Sequence, residues 1–159
     1  MRIGSDLIVQ PAPCLFAPMS ARMPPSASSA AGEGNLSLRG RRILIVEDES
    51  LIAMLIGDAV EEAGGEVVGP CYTVAECMKA AQVEEIDAAV LDVDLAGRDV
   101  FPAADELRKR EIPFLFHTAH ADRQELSAQF GDVPLCRKPV AMNELVAVLA
   151  RIAGPSPTS

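Results

Sequence analysis

The chain has 159 residues, 49% of them apolar and 23% charged, enough for one globular domain with an ordinary core and too few for two large ones. Its 14 basic residues stand against 23 acidic ones, a net charge of −9, which argues against binding DNA or RNA by phosphate neutralisation. No apolar run approaches the roughly 20 residues that would span a bilayer, so neither nucleic acid nor membrane is expected as a partner.

Residues 1–38 differ from the rest. "PAPCLFAPMSARMPPSASSAAGEG" is rich in Pro, Ala, Ser and Gly and carries no period of 2 or 3.6, so a disordered extension is expected. A signal peptide is disfavoured by Asp6 in its n-region and by Pro11, Pro13 and Pro18 in what should be its apolar core. Arg2 and Arg22 balance Asp6 and Glu33, so the whole net charge belongs to residues 39–159. The domain is expected over 39–154, with a short tail over 155–159. Cys14, Cys71, Cys77 and Cys136 show no CxxC spacing and no His at zinc-finger distance, which reads as reduced thiols in a cytoplasmic protein.

From Arg41 onward, short apolar runs alternate with helical periods. "RILIVED" reads as a buried strand. "SLIAMLIGDAVEEAGG" follows as a helix with Leu51, Ile52, Leu55, Ile56, Ala59, Val60 and Ala63 on its apolar stripe and Gly64-Gly65 as its stop. "EVVGPC" is the second strand, after which Thr73 and Glu76 form a capping box that opens a helix through about Gln82. "DAAVLDV" is the third strand and "DVFPAADELRKR" the third helix, with Pro102 in its first turn. "IPFLFHTA" is the fourth strand, and "DRQELSAQF" reads as a short helix or a mobile loop. "PLCRK" is the fifth strand, and "AMNELVAVLARIAG" the last helix, with Leu145, Val148, Leu149 and Ile152 apolar and Gly154-Pro155 as its stop.

Strands and helices alternating through short loops imply right-handed βαβ crossovers and a doubly wound, five-stranded parallel sheet in one α/β domain. Ligands of such sheets bind at the carboxyl ends of the strands. The polar residues expected there are Glu47 and Asp48, Asp92, Thr118 and Lys138. Each has an ordinary reading as well: an acidic pair can favour a helix N-terminus, a threonine can cap a turn, a lysine can simply be solvated, and Asp94 can lie in a solvated loop while Asp92 caps the next turn. As a set they are chemically coherent. The carboxylates of Glu47, Asp48 and Asp92 suit a hard divalent cation such as Mg²⁺. A cation beside a hydroxyl and an ammonium suits phosphoryl transfer, with Asp92 as nucleophile and Thr118 and Lys138 on the phosphoryl oxygens.

The order of acidic pair, Asp, Thr and Lys-Pro resembles the receiver domain of two-component response regulators, over roughly Arg41 to Ile152. The resemblance implies a flavodoxin-like receiver fold and a phospho-acceptor signalling protein rather than an enzyme. Asp92 would accept a phosphoryl group from a histidine kinase or phosphotransfer protein. It implies that Asp48 and Asp92 hold Mg²⁺ directly with the backbone carbonyl of Asp94, that Glu47 acts mainly through water, and that the Lys138-Pro139 bond is cis. The Asp94 side chain would overlook the phosphoryl group. "PFLFHTAH" is similar to the FATGUY group of stand-alone receivers at Phe116 and Thr118, while His117, Ala119, His120 and Ala121 depart from that run; the subgroup would imply a kinase of the HWE or related class. Many receivers place a switching aromatic three residues before the lysine, where this chain has Leu135. Since only "PSPTS" follows Gly154, output is expected through another protein, by altered interaction around the fourth strand and fourth helix or by a phosphate sink or shuttle role.

Two rival readings fit part of the pattern. "VLDVDLAG" also resembles the D-x-D motif of haloacid-dehalogenase-type phosphatases, although there an acidic pair follows the lysine, and none does here. The other is a receiver-fold interaction module that works without phosphorylation.

Overall fold

The computed structural model describes residues 37–119 and 123–155. Its elements are β1 (Arg42–Val46), α1 (Ser50–Glu62), β2 (Glu66–Cys71), α2 (Val74–Val83), β3 (Ala88–Leu91), α3 (Phe101–Lys109), β4 (Phe114–Thr118), α4 (Arg123–Phe130), β5 (Leu135–Arg137) and α5 (Met142–Ile152). The strands form one sheet in the order β2-β1-β3-β4-β5, and every pairing is parallel. The doubly wound, flavodoxin-like sheet expected from the sequence is therefore present, and the strand order reverses between β1 and β3. No helix of the described residues is long and apolar enough to cross a membrane.

Strand alternation sorts the apolar residues into two cores. Ile43, Ile45, Ala88, Val90, Leu115 and Cys136 face one side, where they pack with Ile56 of α1 and Leu145 and Leu149 of α5. Leu44, Val46, Ala89, Leu91, Phe114 and Phe116 face the other, against Cys77 of α2, Leu107 of α3 and Phe130 of α4. All four residues of β3 are buried, as a near-continuous apolar run requires of a central parallel strand. The rings of Phe101, Phe114, Phe116 and Phe130 meet at centroid distances of 5.2 to 6.5 Å, and Leu135 packs against the same core.

Local signals explain where the helices begin and end. Thr73 Oγ1 accepts from the Glu76 N–H while the Glu76 carboxylate accepts from the Thr73 N–H, the reciprocal cap read from the sequence. Gly64 sits at φ +86° just beyond α1, a conformation that glycine adopts without steric cost. The segment "RQELSAQF" is helical, with Leu126 and Phe130 buried. Cys71, Cys77 and Cys136 lie in the interior and form no disulfide. Burial pushes Cys71 up to about 11 and Cys77 up to about 12, so both stay protonated and unreactive.

Two features differ from the sequence reading. Leu38, assigned there to the tail, is fully buried in the α1/α5 core, and its N–H donates to the Ala63 carbonyl at 2.8 Å; the packed domain thus begins before residue 39. Residues 1–36 and 156–159 of the expected tails, with Cys14, lie outside the described residues. The α1 stripe is also narrower than expected. Ala53, Ile56 and Val60 are buried, whereas Leu51 and Leu55 are 63% and 46% exposed. At about 100° per residue, Leu55 and Leu51 point roughly 100° and 140° away from Ile56, outside the buried sector. Accordingly, Ile56→Ala should cost about 2–5 kcal/mol in urea denaturation, and Leu51→Ala less than about 0.5 kcal/mol.

Candidate functional site

The strand alternation that builds the α1/α5 core also assembles the polar cluster. Continuing Ile43, Ile45 on β1 leads to Glu47; Ala88, Val90 on β3 to Asp92; Leu115 on β4 to His117; Cys136 on β5 to Lys138. Four polar side chains thus share one face at the carboxyl ends of four adjacent strands, flanking the point where strand order reverses. The backbone holds them close: the Asp92 N–H donates to the Val46 carbonyl at 2.8 Å, and the Lys138 N–H to the Thr118 carbonyl at 3.0 Å.

Glu47 is 1% exposed and Asp92 6%. One oxygen from each of Glu47, Asp48 and Asp92 lies within 4.8 Å of the other two. Lys138 Nζ reaches both buried carboxylates, 2.7 Å from Glu47 Oε2 and 2.7 Å from Asp92 Oδ2. Burial opposes the Lys138 ammonium, but Asp92 and Glu47 outweigh it and raise its pKa above the usual value. Burial pushes Glu47 up to about 7, with Asp92 adding to the rise and Lys138 opposing it. A single lysine therefore leaves the cluster short of positive charge.

The donor set fits a hard divalent cation. Glu47, Asp48 and Asp92 offer oxygen ligands only, and their mutual repulsion is what a divalent ion would relieve. Asp48 is further tied to the loop after β3, its Oδ2 accepting from the Ala96 N–H at 3.0 Å. Ala96 has φ +53°, an uncommon left-handed conformation for a residue with a side chain.

The remaining predicted site residues fall as follows. Thr118 is 2% exposed at the end of β4. Asp94 is exposed, and its carboxylate is turned onto its own loop, where Oδ1 accepts from the Gly97 N–H at 2.6 Å; its N–H donates to Asp92 Oδ1 at 3.2 Å. Asp94 is thus not among the clustered carboxylates, and its side chain braces the turn that carries Asp92. The Lys138-Pro139 bond is cis, as the resemblance implies, and Gly69-Pro70 is also cis. Tyr72, after β2, is 41% exposed.

One residue of the cluster was missed by sequence reasoning as a participant. His117 is 2% exposed, and its Nδ1 lies 3.9 Å from Glu47 Oε2. Burial, aided by the Lys138 charge, lowers its pKa to about 4, so it is neutral near pH 7. The available signal was its parity with Leu115 in β4, which places it on the same face as Glu47.

Comparison with known proteins agrees with this geometry. Residues 43–150 match the response regulator receiver domain. The transcriptional regulatory protein PdtaR of Mycobacterium tuberculosis is 31% identical over 112 residues, covering 69% of this chain and 55% of that protein. The phyllosphere-induced regulator PhyR of Methylorubrum extorquens is 34% identical over 112 residues, covering 69% of this chain and 42% of its own length. The chain thus spans about half the length of these curated relatives. Among solved structures, SdrG from Sphingomonas melonis superposes with a TM-score of 0.62 at 38% identity, covering 71% of this chain and 95% of that one. The receiver match runs from β1 into α5 and encloses Glu47, Asp48, Asp92, Thr118 and Lys138, so the chain belongs to the response regulator receiver-domain family.

Proposed function

We propose that the protein is a cytoplasmic phospho-acceptor whose Asp92 takes a phosphoryl group from a phosphohistidine of a histidine kinase, of the HWE or a related class, or of a phosphotransfer protein. An Asp92 carboxylate oxygen attacks phosphorus, the P–N bond breaks, and the imidazole leaves with the electron pair, so that an acyl phosphate forms. Glu47, Asp48, Asp92 and the Asp94 carbonyl would hold Mg²⁺, which when bound supplies charge neutralisation at the phosphoryl oxygens. Thr118 donates its hydroxyl to one phosphoryl oxygen, and Lys138 pairs with another. The observation that carries this reading is the placement of Asp92, buried between the Lys138 ammonium and two further carboxylates at the switch point of the sheet.

The donor protein needs a surface beside Asp92. α1 begins two residues after Asp48 and exposes Leu51, Met54 and Leu55, a site-proximal apolar strip against which such a partner can pack. The output surface assigned here is β4, α4 and β5, since Thr118 ends β4 and precedes the loop into α4; residues 120–122 of that loop lie outside the described residues. A phosphate sink or shuttle uses the same chemistry without this surface.

Acetyl phosphate with Mg²⁺ should add one base-labile phosphoryl group to the wild-type protein, and Asp92→Asn should abolish it while Asp94→Asn alters only its rate or lifetime. Intact-mass spectrometry reads the outcome. Absence of any modification would leave a receiver-fold interaction module as the better reading.

A further inference from the structure

The α1/α5 face of the site holds a second polar contact that phosphoryl acceptance by itself does not use. Glu47 Oε2 and His117 Nδ1 face each other at 3.9 Å. Apart from Arg41 Nε, they are the only fully buried side-chain nitrogen or oxygen atoms among the described residues that lack an aligned hydrogen-bond partner. Lys138 Nζ stands 2.7 Å from Oε2 and is its ion-pair partner, so the atom of the two without any partner is His117 Nδ1. The other Glu47 oxygen, Oε1, has the Glu49 N–H at 3.3 Å. A buried ring nitrogen without a partner, beside a carboxylate, is costly, and native interiors rarely keep one without a use.

We propose that His117 is a positioning residue, whose Nδ1–H becomes the hydrogen-bond donor of Glu47 when Lys138 turns from that carboxylate to the phosphoryl group on Asp92. This rests on the phospho-acceptor reading above. In the resting site Lys138 bridges Glu47 and Asp92. Once Asp92 carries a phosphoryl group, the negative charge moves outward onto its oxygens and the ammonium follows it. Glu47 Oε2 then loses the donor it has at 2.7 Å, in a residue that is 1% exposed. A buried carboxylate oxygen left without a donor carries the full desolvation cost. His117 is within reach: closing 3.9 Å to a hydrogen bond needs about 1 Å of side-chain movement. An imidazole can present an N–H at Nδ1 whether the ring is neutral or protonated.

The test uses beryllium fluoride with saturating Mg²⁺, a mimic of the acyl phosphate, on the full chain. His117→Leu removes the donor at similar size, and His117→Asn keeps an amide N–H near the Nδ1 position. Calorimetry should show Mg²⁺ alone binding all three proteins within about twofold, since Lys138 still serves Glu47 in that state. Beryllofluoride should bind about tenfold more weakly to His117→Leu, and within about threefold of wild type to His117→Asn. In wild type, the His117 ring N–H signal should become slow-exchanging and move downfield on adding beryllofluoride, a signature that a merely space-filling histidine does not give. Equal beryllofluoride affinity in His117→Leu and His117→Asn, or an unchanged ring signal, overturns the role of His117. If His117→Leu does not fold, the ring signal of the wild type decides alone. Failure of wild type to bind beryllofluoride or accept phosphate marks a different loss: the phospho-acceptor reading falls, and this inference with it.

Discussion

Lys138→Met is expected to destabilise the metal-free protein by about 3–5 kcal/mol near neutral pH, as breaking a buried ion pair from one side does. The substitution keeps most of the apolar stem and removes the ammonium. Glu47 and Asp92, which share that ammonium at 2.7 Å each with side chains 1% and 8% exposed, would then face each other without compensation. Surface ion pairs contribute at most about 1 kcal/mol, so the size of the loss distinguishes a buried bridge from an ordinary exposed pair. Adding Glu47→Gln to Lys138→Met should restore a large part of the lost stability, because it removes one of the two stranded charges. Urea denaturation of the single and double variants checks both statements, and a Lys138→Met cost under about 0.5 kcal/mol would contradict the bridge.

The second large effect is the response to Mg²⁺ and its dependence on pH. A cation that binds only the folded state should stabilise it by about 2.7 kcal/mol at one hundred times its dissociation constant, and Asp48→Asn should remove most of that gain. In the metal-free protein burial pushes Glu47 up to about 7 from its ordinary value of 4.5. The folded state therefore holds a proton that the unfolded chain has released, so this contribution to stability is present below pH 4.5 and is lost as pH rises through about 7. His117, lowered to about 4 from 6.5, has the opposite sign: its contribution is present above pH 6.5 and is lost as pH falls through about 4. The two slopes oppose each other between about pH 4.5 and 6.5 in wild type. Glu47→Gln should therefore unmask a metal-free stability that rises with pH through that interval. Mg²⁺ must displace the Glu47 proton to use that carboxylate, so its stabilisation should grow between pH 6 and 8 in thermal melts. A Mg²⁺ gain independent of pH would remove Glu47 from the site.

How much of this was legible depended on how local each signal was. The five strands announced themselves as apolar runs, and the capping box at Thr73 and Glu76 could be read because both partners lie within one turn. The acidic pair, Asp92, Thr118 and Lys138 were legible because each ends or directly follows a strand, and a parallel sheet brings all strand ends to one edge. The α1 stripe was overread because "SLIAMLI" is apolar nearly all round, so sequence alone does not say which apolar residues face inward; the sheet buries Ile56 and leaves Leu51 in water. Leu38 was illegible for the converse reason: it lies in the polar, glycine-containing stretch "GEGNLSLRG", where Leu36 is the only other large apolar residue, and its partner Ala63 lies 25 residues away. His117 appeared in the sequence only as a departure from a similar motif, since its contact with Glu47 spans 70 residues. The bond from Asp94 to Gly97, three residues apart, was local enough to have been read.

Locating the phosphoryl group tests the central claim most directly. After treatment with acetyl phosphate and Mg²⁺, borohydride reduction converts an aspartyl phosphate to homoserine, and peptide mass spectrometry finds the position. The account predicts homoserine at residue 92 alone, and none in protein treated without Mg²⁺. Homoserine at residue 48 or 94 with residue 92 unmodified would contradict it.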